Sequence, residues 1–335
     1  MGYRRSMILP PAPVWFAAML LTFVLAVRAA VPRGHRRPVR AKLLMRALLP
    51  WRILRSRSGR LDIAAFLFGA LLAGLALGWA LVSGSWWASM LSARLPEWLG
   101  PAAPMALPRP VAATLMTLAL FLAYEAAYWL NHWCSHRIGW LWEFHKVHHS
   151  AESLSLLTNF RVHPVDTIIF YNMAAATTGI TAGLLRYALG SAVEDISVGG
   201  TNLLVFLSSI VLSYLQHSHL WISTTGRWGR LILSPAHHQL HHSVDPRHHN
   251  RNLGATLALF DWAFGTLLVP PPHRQRLIFG VEGLGYDPHG PKGAVLMPFV
   301  DAARRVLPAF RPRRPSSLPT PHAGDARPAW AADRA

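Results

Sequence analysis

One cysteine in 335 residues, Cys134, is too few for an intramolecular disulfide or a thiolate-rich metal site. Acidic side chains are scarce as well: 15 Asp and Glu stand against 33 Lys and Arg, and charged residues make up only 14% of the chain. That scarcity narrows the metal chemistry open to it. A zinc protease needs His-Glu-x-x-His on one helix, and no such string occurs. Carboxylate-bridged di-iron bundles need Glu-x-x-His pairs on two helices, and these are also missing. The sequence shows no ferredoxin-like cysteine set, no haem-binding domain and no dinucleotide fingerprint. Any electrons it uses are expected to come from a separate protein.

What the chain has in excess is apolar surface. Hydrophobic residues make up 52% and the mean hydropathy is +0.25, far above an ordinary soluble domain. Runs over 13–31, 61–84 and 110–130 are each near the roughly 20 residues that cross a bilayer as helix. Runs over 165–185 and 199–215, separated by a short stretch with Glu194 and Asp195, read as a helical hairpin. Residues 13–31 exceed a signal-peptide core of about 7–15 residues and are expected to be retained. The segment 34–59 is dense in Lys and Arg, whereas 85–108 carries only Arg94. The positive-inside rule puts the basic segment in the cytoplasm. The net charge of +18 then reflects topology and contact with anionic lipid, worth about 1 kcal/mol per residue near the surface. No nucleic-acid motif accompanies it, so no nucleic-acid partner is expected.

Histidine is the other excess. Twelve of the eighteen lie between Asn131 and Ser243. Nine fall in short groups: His132 and His136; His145, His148 and His149; His217 alone; His238, His241 and His242. Spacings of three and four put imidazoles on one helix face. One zinc takes four ligands at most, so nine donors point to two metals held between helix ends. Imidazole suits iron, zinc, copper or nickel and does not choose among them. The nearby acids are few: Glu143, Glu152, Asp166 and Asp245. Counting crossings from the basic segment brings all nine histidines to the cytoplasmic boundary.

The ordered motifs resemble a known family. His132-Trp-Cys-Ser-His136, Trp142-Glu-Phe-His145-Lys-Val-His148-His149-Ser150, Arg161-Val-His163-Pro164, Gln216-His217 and Ser234-Pro-Ala-His237-His238-Gln-Leu-His241-His242-Ser243 look like the fatty acid hydroxylase and sterol desaturase superfamily. Asn252-Leu-Gly254 and Phe260-Asp-Trp-Ala-Phe-Gly265-Thr266 are similar to its closing motif. The resemblance implies a membrane-bound non-haem di-iron oxidoreductase that uses O2 to hydroxylate or desaturate a lipid C–H bond. The partners it implies are a lipid substrate and a separate electron donor, a reductase or ferredoxin-type protein. By motif, His132, His136, His145, His148, His149, His217, His238, His241 and His242 would bind two iron ions. His163, His237 and His219 are further candidates, as extra ligands or as supports behind the ligands. Hydroxylation and desaturation share a first hydrogen removal, and hydroxylation is the preferred reading.

The expected fold is all-α: a polytopic membrane protein with about five transmembrane helices and a cytoplasmic helical cap holding a histidine-rich dimetal site. Residues 1–109 form an N-terminal membrane region, 110–300 the catalytic domain, and 301–335 a basic Pro- and Arg-rich tail expected to be disordered. The competing class is a non-catalytic metal-binding or transport protein. Transport predicts ionisable residues along a path through the membrane, whereas these histidines gather at one boundary. Five tryptophans, Trp129, Trp133, Trp140, Trp142 and Trp221, read as interfacial belts. Glu125 and Cys134 read as helix-packing residues.

Overall fold

The computed structural model describes residues 20–22, 24, 50–74, 80–198 and 200–307. The expected first crossing at 13–31 falls almost wholly outside them, as do the basic stretch before Pro50 and the tail beyond Leu307. In chain order the main helices are α1 (Arg57–Gly74), α2 (Gly84–Leu99), α3 (Arg109–Arg137), α4 (Gly139–His149), α5 (Pro164–Leu189), α6 (Leu203–Val211), α7 (Pro235–His241) and α8 (Met297–Val306). Among the described residues the only strand pairing longer than an isolated bridge is a short antiparallel ribbon, β1 (Ser197–Val198) with β2 (Thr201–Asn202).

Helices α3 and α5 are the long pair. Pro110 sits in the first turn of α3, where its missing N–H costs nothing, and His136 and Arg137 close its last turn against the negative end of the dipole. Helix α5 starts at Pro164, with the His163 side chain accepting from Val165 N and Asp166 in the first turn. Both are long and apolar enough to cross a membrane, yet only 28% of each apolar window is buried within the chain. A core helix of a soluble protein would bury most of that face. The exposed apolar remainder therefore needs lipid around it, and the chain is a membrane protein.

The structure adds to the expected layout in two places. Residues 85–108, to which no helix was assigned from the sequence, hold nearly all of α2, which packs along α5. Two glycines allow that approach. A Cβ at Gly179 would stand 2.3 Å from the Gly84 carbonyl oxygen, and one at Gly183 would stand 2.9 Å from Leu91 Cβ. Small residues four apart let helix backbones close up in this way. Second, the run at 199–215 holds α6, nine residues long, which a tight 3-10 turn continues to Leu215. Asn202 caps α6 and also donates to the Thr117 carbonyl of α3, so the ribbon is pinned to that helix. Beyond the C-terminal end of α3, α4 packs on α3 and on α8, and this is where the histidines collect.

Candidate metal centre

Four separate segments deliver the nine motif histidines to one place. They form two groups, His132, His136, His145, His149 and His241 in one, and His148, His217, His238 and His242 in the other. Within each group the ligand-type atoms lie within 4.8 Å of one another. Eight of the nine residues are buried and His136 is half-buried. The short helices α4 and α7 feed both groups, because residues three and four apart share a face while their neighbours turn aside. Helix α4 gives His145 and His149 to the first and His148 to the second. His241 of α7 joins the first, while His238 of α7 and the next residue after it, His242, join the second.

The outward nitrogens explain the inward ones. Nδ1 of His132 donates to the Leu253 carbonyl at 2.8 Å, that of His148 to Arg161 at 3.1 Å, and that of His241 to Arg251 at 2.8 Å. His145 Nδ1 meets the Asp166 carboxylate at 2.8 Å, and His217 Nδ1 meets Asn159 Oδ1 at 2.8 Å. A carbonyl or carboxylate can only accept, so in these rings Nδ1 carries the proton and Nε2 presents a bare lone pair. Those lone pairs face one another. His217 Nε2 stands 2.9 Å from His148 Nε2, 2.8 Å from His238 Nε2 and 3.1 Å from His242 Nε2. Nε2 of His132, His136 and His145 is buried with no hydrogen-bond partner.

Such an arrangement suits a cation. Bare acceptors about 3 Å apart repel, whereas neighbouring ligands on one ion with bonds of about 2.0–2.1 Å stand about that far apart. Burial, and after it the neighbouring imidazoles, hold His148, His149, His238 and His242 well below the ordinary histidine range. The same causes push His217 and His241 down to about 3. These six imidazoles are therefore neutral at physiological pH, the form that binds a metal. Thus the nine residues fit a pair of imidazole-bound ions.

Behind the ligands stands a layer of polar residues to which sequence reading assigned no role. Arg161, fully buried, pairs with Asp62 of α1 at 2.6 Å and binds Ser58 and Ser150, fixing the carbonyl that holds His148. Asp261 accepts from Leu253 N and Gly254 N, from Thr266 Oγ1 and from Trp129 Nε1. Asn252 takes a left-handed φ of 54° that asparagine tolerates, and its side chain bonds the His237 carbonyl and the Leu268 backbone. A Cβ at Gly254 would meet Leu233 and Leu257 at 2.8 Å. These contacts shape the 251–254 loop whose carbonyls hold His241 and His132. The Asn252-Leu-Gly254 and Phe260 to Thr266 strings were the available signal. Glu125, inside α3, faces inward and accepts from Thr256 and Leu257 N, anchoring the next part of the same loop.

Other candidates lie apart from the two groups. His163 caps α5 through Nδ1 and donates from Nε2 to the Val295 carbonyl. His237 is buried, with Nδ1 accepting from Ser234 N and Nε2 donating to the Gly229 carbonyl; burial pushes it down to about 4. His219 is half-buried and belongs to neither group. Of the nearby acids only Asp166 touches a ligand-type histidine. Glu143 pairs with Lys146 and Arg305, Glu152 with His289, and Asp245 with Arg247. Trp129 is buried and stacks on Trp133 and Phe264, and the Trp142 ring lies 5.2 Å from His136 and 5.4 Å from His149. These two rings serve the protein interior, whereas Trp140 is exposed. Cys134 is half-buried and outside both groups.

Comparison with known proteins agrees with this centre. Residues 117–266 match the profile of the fatty acid hydroxylase family. The chain is 26% identical over 140 residues to alkylglycerol monooxygenase of Caenorhabditis elegans, covering 42% of this chain and 24% of that protein. It is 25% identical over 172 residues to the Danio rerio alkylglycerol monooxygenase, covering 48% of this chain and 32% of that one. It is 28% identical over 160 residues to ornithine lipid hydroxylase OlsE of Rhizobium tropici, covering 47% and 42% respectively. The chain thus spans between about a quarter and two fifths of the length of these relatives. No solved structure matches it. The matched segment, just under half of the chain, is similar to that family and contains all nine converging histidines and the loop that supports them.

Proposed function

We propose that this chain is an O2-dependent lipid hydroxylase whose nine converging histidines hold two iron ions. The observation that carries the reading is the division of those histidines into two groups with Nε2 atoms turned inward and uncompensated. Bound there, the two irons would supply oxygen activation and the oxidation of an unactivated C–H bond. The chain's own part is positional. Backbone carbonyls, Asp166 and Asn159 hold the rings in one tautomer and orientation, and burial keeps water from the centre. Helices α3 and α5 carry the centre at the end of an apolar pair, so that a lipid can reach it from the bilayer.

Hydroxylation is preferred over desaturation because the relatives are named for monooxygenase and hydroxylase activities. The remaining parts of the proposal are a chain with about five crossings, the centre under a cytoplasmic cap, and a separate electron-donor protein. The test compares membrane lipids from cells expressing the wild-type chain and His241→Ala at equal protein level, with oxygen and a reductase present. Gain of one oxygen in a lipid species only with wild type supports the proposal, and loss of two hydrogens would replace hydroxylation by desaturation. Unchanged lipids across a broad set of hosts, with two metals counted per purified chain, would overturn the enzymatic reading in favour of a metal-binding protein.

A further inference from the structure

We propose that a tyrosine-lined slot on the membrane side of the histidine centre selects a lipid carrying a hydrogen-bonding oxygen near the oxidised carbon. The inference rests on the lipid-oxidation reading above. Three of the seven tyrosines gather there from two helices. Tyr124 and Tyr128 precede His132 and His136 on α3 at steps of four, which keeps all four residues on one side of that helix. Tyr128 lies edge-on to the His132 ring at 5.7 Å. From α5, Phe170 packs edge-to-face on Tyr124 at 6.1 Å and on Tyr128 at 5.6 Å, with Tyr171 beside it. Tyr214 stands three residues before His217, and its carbonyl accepts from Asn159, the residue that also holds the His217 ring. The tyrosines therefore adjoin the five-histidine group at His132.

Its chemistry is not that of a plain hydrocarbon track. Leucine or phenylalanine would line an alkyl path as well as tyrosine; what the phenols add is donors. The hydroxyls of Tyr124, Tyr128 and Tyr171 make no hydrogen bond within the described residues. Lipid surroundings offer no water to satisfy them, and a buried or lipid-facing phenol seeks a partner. Tyr171 is 43% exposed and opens the slot outward, while Tyr124 and Tyr128 are half-buried. Along α3, Tyr128 and Tyr124 lie about 6 and 12 Å back from His132 at 1.5 Å per residue. An ether, ester or hydroxyl oxygen within that reach of the reacting carbon would accept from these donors, and an unsubstituted alkyl chain would leave them unpaired.

Equilibrium binding decides this without turnover. Purified full-length protein in lipid nanodiscs is titrated with radiolabelled 1-O-hexadecylglycerol and, separately, hexadecane. Wild type is compared with Tyr124→Phe, Tyr128→Phe and Tyr171→Phe, each checked for unchanged metal count and helical content. The expected result is a wild-type preference for the ether lipid that each variant weakens about three- to tenfold, the loss of one neutral hydrogen bond, with hexadecane binding unchanged. Equal wild-type binding of both probes, or variants that keep the full preference, would overturn the inference. An intact tyrosine-dependent preference in a chain that oxidises no lipid would instead count against the function proposed above.

Discussion

The two histidine groups differ in what stands behind them. In the five-histidine group the backing is two loop carbonyls, Leu253 and Arg251, and one carboxylate, Asp166. In the four-histidine group it is one carbonyl, Arg161, and one amide, Asn159. A carboxylate behind an imidazole raises its basicity as a ligand, and an amide orients it without that gain. Asn159 does something a carboxylate could not, because its Nδ2 also donates to the carbonyls of Leu156 and Tyr214. The two supports are therefore not interchangeable: one group has an electron-rich ligand, the other a ligand tied into a folded turn.

Acid should erase the difference. In the folded chain His217 and His241, one from each group, titrate at about 3, against an ordinary value of 6.5. Between those values the unfolded chain binds more protons, so their contribution is whole above about pH 6.5 and is lost as the pH falls toward 3. Metal count and melting temperature followed together from pH 7 to 4 should fall in parallel for both groups. Release of one ion well before the other would show that the difference between the supports survives acid.

His217→Ala should act most strongly on the four-histidine group. Its Nε2 meets three partners, so its loss should lower metal affinity of the four-histidine group by at least about 100-fold, beyond what a supporting residue costs. Elemental analysis should then find about half the metal per chain, and lipid oxidation should vanish. Asp166→Ala strikes the other group more gently, with affinity reduced roughly 10- to 100-fold, read by competition with a chelator. Asn159→Asp is expected to cost about 1–3 kcal/mol of stability, as two donated hydrogen bonds become repulsions. If Asn159→Asp instead strengthened metal binding without destabilising the chain, the distinction between the supports would be wrong.

The ligand set was readable because its pattern is local: three- and four-residue spacings on short helices announce a shared face. The supports were not, because they are joined across the chain. Asp166 meets a histidine 21 positions away, Glu125 meets Thr256 across 131, and Arg161 meets Asp62 across 99. Helix α2 was hidden for a different reason. It is short and holds polar residues and an internal Pro96, and its place is set by two glycines on α5 that no local rule connects to it. Within the apolar run at 199–215, composition does not announce that the chain spends the first residues on the ribbon and cap before α6 begins.

Helices α4 and α7 each divide their histidines between the two groups, and α7 is only seven residues long. A helix so short turns as one piece, so the two groups cannot assemble independently. On the two-metal reading, the first ion captured orients the side chains awaiting the second. Filling should therefore be cooperative: an anaerobic iron titration should rise sigmoidally, with singly loaded chains scarce at the midpoint, and a simple hyperbola would show the groups to be uncoupled.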